Sequence, residues 1–296
     1  MSTRAVLIFN PRAGRWRTSH RVEVIGKVLE AGGYSLKLLP TSKPGHATEL
    51  GRQAAASGFD VAFAYGGDGT IREVAAGLLG SGVALGPIPG GTVNVVSLAI
   101  GLPLDPVRAA AAFSNATTIE IDVGLCGEEP FLMLTSAGLD AHIMYNLHPG
   151  LKRRLGKVAV AWAGLQRWTS YDYPRIHLVA DGHPLEATFA AICNLPFYAG
   201  KWKLAPGASA TDRALDLVVF RGTGRWKTLA FARDLALGRH IRRPDVEMSR
   251  VERVEILGPA EVPIQIDGDG MAIKLPVALT ISPKRLTLLA PSTAAP

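Results

Sequence analysis

Gly66-Gly67-Asp68-Gly69-Thr70 stands between a wholly apolar run, Val61 to Tyr65, and a helical pattern, Ile71 to Leu79. A buried strand that turns through glycines straight into a helix is the unit of a parallel sheet with crossover helices. The surrounding third of the chain repeats that alternation. Ala5 to Phe9 reads as a buried strand. Thr18 or Ser19 caps a helix with Val22, Ile25, Val28 and Leu29 on one face, ended by Gly32-Gly33. Leu36 to Leu39 is the next strand and Gly45 to Ser57 the next helix. Val95 to Ile100 looks helical, and Asp105-Pro106 opens a further helix with Asp as cap and Pro at the first helical position.

Beyond about Thr117 the texture changes. Thr118 to Leu125, Phe131 to Thr135, Arg175 to Ala180, Ala187 to Asn194 and Leu215 to Phe220 read as strands, and Val246 to Leu257, Ile264 to Ile266 and Ala278 to Leu289 follow them. Leu151 to Trp168 and Trp226 to His240 are helical interruptions. Many strands at short spacing predict a sandwich-like second domain. The 296 residues, 48% hydrophobic and 19% charged, are enough for two cores. The expected division is an α/β domain over 1–122, a mostly-β domain over 123–290 that abuts it across a cleft, and a tail at 291–296; the final strand is free to return to the first domain.

Val74 to Leu104 carries no charged side chain, yet Gly77, Gly80, Gly82, Gly86, Pro87, Pro89, Gly90 and Gly91 interrupt it. A spanning helix needs about 20 continuous apolar residues, so this stretch reads as buried strands and loops of a soluble protein. The run Ala5 to Phe9 is too short for a signal-peptide core. Cys126 and Cys193 read as apolar side chains in a reducing compartment. The seven histidines lack zinc-ligand spacing. A net charge of +7 favours anionic partners, whether phosphates, acidic phospholipid or nucleic acid; no motif supports nucleic acid.

Glycines at a strand-to-helix turn let backbone N–H groups approach a phosphate, and the helix N-terminus adds partial positive charge. Read alone, Gly66 to Gly69 is equally a tight turn. Two more loops belong to the same sheet edge, however: Asn10-Pro11-Arg12-Ala13-Gly14 after the first strand, and Pro89-Gly90-Gly91-Thr92-Val93-Asn94. Three glycine loops at three strand ends suit nucleotide phosphates. Asp68 projects near them, where a bridging Mg²⁺ would relieve the repulsion between carboxylate and phosphate.

The set Asn10-Pro11-x-x-Gly14, Gly45-His46-Ala47, Gly66-Gly67-Asp68-Gly69-Thr70 and Gly90-Gly91-Thr92-x-Asn94 resembles the catalytic domain of diacylglycerol kinases, whose superfamily includes sphingosine and ceramide kinases. The likeness continues through Asn194, Tyr198, Gly200, Ala205-Pro206, Asp212 and Asp267-Gly268-Asp269 to Ser282-Pro283-Lys284. It implies an NAD kinase-like parallel-sheet domain followed by a β sandwich, with ATP and Mg²⁺ as cofactors. By the resemblance Asn10, Pro11, Arg12, Ala13, Gly14, Gly66, Gly67, Asp68, Gly69, Thr70, Ile71, Arg72 and Thr92 line the ATP site, with Thr41 beside the nucleotide. Thr41 and Ser42 otherwise read as an ordinary loop or cap, and His46 as a helix-start residue.

Phosphoryl transfer also needs a group that orients or deprotonates the attacking hydroxyl. Asp267 matches the family's aspartate in that role, although Asp-Gly is also a common hairpin turn; Asp68 is the second catalytic carboxylate. Asp269 stands where the family has Glu, and Val95 where it often has an acidic residue. Asp122 matches another family aspartate. Asp212, with Ser209 and Ala214, matches a structural Mg²⁺ loop, with Arg213 in place of the usual Gly.

The resemblance implies a lipid substrate held at a membrane surface, with anionic phospholipid as a docking partner. Lys152-Arg153-Arg154 with Lys157, next to Trp162 and Trp168, is one candidate docking element, and Arg239 to Arg243 another; each is also readable as a solvated helix face. The expected location is cytoplasmic, peripheral to the inner face of the plasma membrane. NAD kinase shares the Gly-Gly-Asp-Gly loop but not the later motifs. Val95 and Asp269 leave open a catalytically weak nucleotide- or lipid-binding protein. The sequence carries no signal for oligomeric state.

Overall fold

The computed structural model describes residues 2–11, 18–147, 164, 168 and 170–292. Two compact units emerge: Met1–Asp122 together with Pro283–Pro296, and Val123–Ser282. The first is α/β and the second a β sandwich.

The first unit opens with β1 (Thr3–Phe9), α1 (Thr18–Ala31), β2 (Tyr34–Pro40), α2 (His46–Ala56), β3 (Val61–Gly66), α3 (Asp68–Leu78) and β4 (Ala84–Pro89). Two short helices, α4 (Val95–Ala99) and α5 (Pro106–Ala112), precede β5 (Ala116–Ile121). β1 pairs in parallel with β2 and β3, and β3 with β4. Every residue of β3 and β4 is buried, as continuous apolar runs demand when helices cover both faces. Phe63 and Tyr65 are among the largest fully buried side chains, each worth about 2–3 kcal/mol of apolar burial. The Asp105 side chain accepts N–H bonds from Val107 at 3.1 Å and Arg108 at 2.9 Å, the cap expected ahead of Pro106. A Cβ on Gly77 would lie 2.5 Å from the Thr48 carbonyl oxygen and 2.9 Å from Gly51 Cα. The glycine pair therefore lets α2 and α3 touch backbone to backbone.

The second unit carries β6 (Gly124–Cys126), β7 (Glu129–Phe131), β8 (Leu134–Ala137), α6 (Leu139–Asn146), β9 (Ile176–Ala180), β10 (His183–Ala187), β11 (Phe189–Cys193), β12 (Phe197–Tyr198) and β13 (Trp202–Lys203). There follow β14 (Leu215–Phe220), α7 (Arg225–Ala236), β15 (Val246–Val251), β16 (Arg253–Gly258), β17 (Ile264–Ile266), β18 (Asp269–Met271) and β19 (Val277–Ile281). Two antiparallel sheets form, ordered β10-β9-β16-β19-β6-β7 and β15-β14-β11-β8-β17-β18. Ile176, Leu178, Val254, Ile256 and Leu279 of one sheet share a core with Ala190, Ile192, Leu217, Val219 and Ile264 of the other. The opposite face of β11 and β14 is covered by α7, where Phe220 stacks on Phe231 at 4.6 Å.

β20 (Leu286–Pro291) then returns to the first unit, parallel to β4 and antiparallel to β5. Several expected strands are therefore divided. Thr118 to Leu125 is read as one strand, but the chain leaves the first unit at Asp122, whose buried carboxylate accepts from Arg285 Nε at 3.0 Å. Ala278 to Leu289 is split between β19 and β20 for the same reason. Val246 to Leu257 breaks at Glu252, where the Asp181 carboxylate captures the N–H groups of Glu252 and Arg253. The second unit ends at Ser282 rather than 290, and Pro291 belongs to β20, not to a tail. The Leu151 to Trp168 helix lies, apart from residues 164 and 168, outside the described residues.

Candidate active site

Parallel register sets the ends of four strands side by side. Phe9 stands opposite both Pro40 and Tyr65, and Gly66 opposite Pro89. The loops that leave these ends are bonded to their neighbours. Asn10 N–H donates to the Tyr65 carbonyl at 3.2 Å, Thr41 N–H to Phe9 at 2.8 Å, and Gly90 N–H to Gly66 at 2.7 Å. Asn10, Thr41, the Gly66 turn and the Gly90 turn thus share one edge, at the carboxyl ends of the strands.

Gly67 caps α3 with no side-chain hydrogen bond, so the N-terminal end of the helix lies at Asp68 and Gly69. The two glycine turns are joined by Asn94. Its side chain accepts from Gly91 N–H at 2.8 Å and donates to the Gly91 carbonyl at 3.0 Å, while its own N–H donates to Asp68 Oδ2 at 3.0 Å. A Cβ on Gly91 would lie 2.6 Å from Gly67 Cα, so only glycine allows the turns to meet. Thr70 packs its side chain over Gly66, and Thr92 and Pro11 are exposed. Arg72 is half-buried one turn into α3. Ile71 departs from the expected ligand set: its side chain is fully buried in the core and its N–H donates to Gly67 at 3.1 Å, so it anchors the helix instead. Arg12, Ala13 and Gly14 lie outside the described residues. Ser42 N–H donates to His46 Nδ1 at 3.1 Å, which closes the turn ahead of α2.

In the second unit Asp267 and Gly268 form the β17–β18 turn with φ of 50° and 81°. Two successive left-handed residues are what a tight hairpin of Asp-Gly type requires. Asp267 is not an exposed turn residue. It is 5% exposed, and its carboxylate accepts N–H bonds from Leu132 at 2.9 Å, Met133 at 2.9 Å and Leu134 at 3.1 Å. Three backbone donors fix the direction of that carboxylate. Asp269, half-buried, opens β18.

The Asp212 loop is also built differently from a bare carboxylate site. Asp212 Oδ2 pairs with Arg250 Nη2 at 2.6 Å, Oδ1 accepts Ala214 N–H at 3.2 Å, and Ser209 Oγ lies 3.0 Å from Thr211 Oγ1. Arg213 adopts φ 60°, the conformation glycine takes at no cost. Burial raises the pKa of nearby Asp216, the Asp212 charge adds to the rise, and Arg250 opposes it. The exposed Arg250 guanidinium thus occupies the Asp212 carboxylate at which the resemblance implies Mg²⁺ with Ser209 and Ala214. Among the described residues no group of three or more His, Cys, Asp or Glu could hold a metal.

Of the second basic cluster, only part faces water. His240 is fully buried, with Nε2 2.8 Å from the Leu204 carbonyl oxygen, and Arg243 is clamped by Asp234 and Asp245 at 2.7–2.9 Å. The Asp245 carboxylate, with Asp234, raises the pKa of Arg243 against burial, which lowers it. Arg239, Ile241 and Arg242 remain exposed, as do Trp226 and Leu229 of α7 and Leu237 at its C-cap. Lys152, Arg153, Arg154, Lys157 and Trp162 lie outside the described residues.

Sequence reasoning missed two residues. Asn94 was legible as part of a motif but not as the bridge to Asp68, which depends on its φ of 57°. Asp140, in the first turn of α6, was not singled out at all; a carboxylate directly after Ala137-Gly138-Leu139, where a buried strand turns into a helix, was the available signal.

Glycine turns gathered over a helix start at the edge of a parallel sheet, followed in the chain by an antiparallel sandwich, define a two-domain α/β and β-sandwich class. Residues 4–126 match the diacylglycerol kinase catalytic domain, and residues 134–290 the YegS C-terminal NAD kinase beta sandwich-like domain. The diacylglycerol kinase of Bacillus subtilis strain 168 is 28% identical over 271 residues, covering 90% of this chain and 89% of that one. A Pseudomonas putida KT2440 protein named "Probable lipid kinase YegS-like" is 30% identical over 245 residues, covering 81% of each. A crystal structure of a diacylglycerol kinase from Bacillus anthracis strain Sterne superposes with a TM-score of 0.81 at 24% identity, over 99% of this chain and 98% of that one, and shares the fold. The chain belongs to the diacylglycerol kinase and YegS-like lipid kinase family.

Proposed function

We propose that the protein transfers the γ-phosphoryl group of ATP to the hydroxyl of a lipid alcohol, diacylglycerol or a close relative. The observation that carries this reading is the Asp68–Asn94 hydrogen bond, 3.0 Å long. It joins two glycine turns into one cradle of N–H groups at the start of α3, and a polyphosphate is the ligand that such a cradle suits. Asn10, Thr41, Thr70 and Thr92 supply polar side chains on the same edge, Arg72 supplies charge, and Pro11 follows Asn10 there; Arg12, Ala13 and Gly14 belong to the proposed ligand set by resemblance alone. Asp68 would hold Mg²⁺ together with the phosphates; bound there, the ion spreads the charge that develops during transfer. A second Mg²⁺ belongs to the Asp212, Ser209 and Ala214 loop.

Asp267 is the proposed general base. As the lipid oxygen attacks the γ-phosphorus, its proton passes to the Asp267 carboxylate, the bond to the bridging oxygen breaks, and ADP leaves. Asp269, a methylene shorter than Glu, contacts the nucleotide. The exposed aromatic and aliphatic side chains of α7, with Arg225, Lys227, Arg239 and Arg242 around them, suit a bilayer carrying anionic phospholipid. No described helix is long and apolar enough to cross a membrane. In this reading the protein sits peripherally on the cytoplasmic face of the plasma membrane, with no role for nucleic acid.

The test is radiolabelled ATP offered with diacylglycerol, sphingosine or ceramide in anionic vesicles, and separately with NAD. Label in lipid is expected, with most of it lost in folded Asp68→Ala and Asp267→Ala variants. Labelled NAD would overturn the assignment, and full activity in Asp267→Ala would remove it as base. Val95, buried at the start of α4 where relatives often carry an acid, favours one other reading, a weak catalyst that mainly binds nucleotide; nucleotide binding with no labelled lipid across the panel would support that instead.

A further inference from the structure

Asp140 lies at the end of a hydrogen-bond chain that starts at the turn carrying Asp267. Gly268 N–H donates to Gln265 Oε1 at 2.6 Å, which fixes the amide so that Gln265 Nε2 donates to Ser136 Oγ at 2.8 Å. Ser136 and Gln265 are direct partners across β8 and β17, so both side chains stand on one face. With its oxygen accepting from Gln265, the Ser136 hydroxyl gives its proton to Asp140 Oδ2 at 2.6 Å. Tyr198 O–H donates to the same oxygen at 3.2 Å, and Ala141 N–H to Oδ1 at 2.7 Å. Every donor in the chain points toward the carboxylate.

We propose that Asp140 is a positioning residue for the Asp267 turn, acting through Ser136 and Gln265. The proposal rests on the reading that Asp267 works on the acceptor hydroxyl. A carboxylate accepts on both oxygens, and so sets the direction of the whole chain. An amide in its place cannot. If its oxygen meets Ser136 and Tyr198, its NH₂ faces the Ala141 N–H. If its NH₂ meets Ser136, the serine hydroxyl must reverse, Gln265 loses its acceptor, and Gly268 N–H loses its partner in turn. Buried donors left without acceptors are costly, so the change is transmitted to the turn. A second contact ties α6 to the same hairpin: a Cβ on Gly270 of β18 would collide with the backbone of Met144 and Tyr145.

Burial raises the pKa of Asp140, against the hydrogen bonds from Ser136, Ala141 and Tyr198 that lower it. A carboxyl group held buried at that cost calls for a structural explanation, and orientation of the turn provides one.

The experiment compares Asp140→Asn, Ser136→Ala, the double variant and Asp267→Ala in the full chain. Readouts are kcat, KM for ATP, and amide exchange across residues 264–271. Asp140→Asn should lower kcat on the order of tenfold to a hundredfold, the range expected for a misplaced reacting group. KM for ATP should change by less than kcat, since the glycine turns of the first unit are untouched and Asp269 is the one group of this hairpin assigned to the nucleotide, and exchange at Gly268 should quicken. Ser136→Ala keeps the carboxylate but severs the chain, so it should give the same exchange change, and the double variant should be no worse than the worse single one. Wild-type kcat and exchange in both single variants, or strictly additive losses, would overturn the proposal. Activity that survives in Asp267→Ala would refute the base reading alone, because the exchange measurement still tests the chain.

Discussion

Asn94→Ala and Asn94→Gly separate the two ways in which Asn94 holds the proposed phosphate cradle together. Its side chain makes two hydrogen bonds to Gly91, at 2.8 and 3.0 Å, and it is 6% exposed. At about 1 kcal/mol net for each bond, either substitution removes about 2 kcal/mol. Asn94 also sits at φ 57°, where alanine is less favourable than glycine by about 1 kcal/mol. The alanine variant should therefore lose about 3 kcal/mol and the glycine variant about 2. Circular dichroism in urea measures the loss, and titration calorimetry with a nonhydrolysable ATP analogue measures its effect on binding. Because Asn94 N–H also holds Asp68 Oδ2 at 3.0 Å, an opened turn releases Asp68, and affinity should fall by up to about a hundredfold in the alanine variant. Equal stability of the alanine and glycine variants would refute the strain argument. Wild-type nucleotide affinity in both would refute the cradle.

Three further outcomes are expected. Burial, aided by Glu129, pushes the Cys126 thiol up to about 12, and burial pushes Cys193 higher still, with Asp216 and Asp140 adding to it; at pH 8 neither should react with iodoacetamide until the chain is unfolded, and mass spectrometry of the native protein checks this. Arg250→Ala should tighten Mg²⁺ binding at the Asp212 loop, because the ion no longer competes with a guanidinium 2.6 Å from the carboxylate; calorimetry with Mg²⁺ alone would show no change if the loop holds no ion. For Asp140 the folded pKa lies above the unfolded value of about 3.9. Its contribution to stability is thus full below that value and is lost as pH rises through the folded one. The titratable groups facing it, Tyr171, Tyr198 and Cys193, are all raised, so Asp140→Asn should flatten this slope in urea titrations run at several pH values.

The sheet and the glycine turns were legible because they follow from local pattern. Apolar runs such as Val61 to Tyr65 permit only a doubly covered strand, and glycines between strand and helix leave few conformations. What was hidden depends on contacts distant in sequence. Asp267 looks like any hairpin aspartate until residues 132–134 present their N–H groups to it, about a hundred and thirty positions upstream. Arg250 reaches Asp212 only because β15 pairs with β14 in the register that sets Arg250 opposite Asp216. The division of Thr118 to Leu125 could not be read either, since nothing local marks Asp122 as the residue where the chain changes units.

β20 occupies the position between β4 and β5 in the first sheet, although it is made after the whole sandwich. During synthesis β5 has no hydrogen-bonded neighbour in that sheet until residues 286–291 leave the ribosome. The sandwich, residues 123–282, is contiguous and can assemble first. The first sheet therefore closes only once residues 286–291 are available, and a chain cut before residue 286 would lack the one strand that joins β5 to β4.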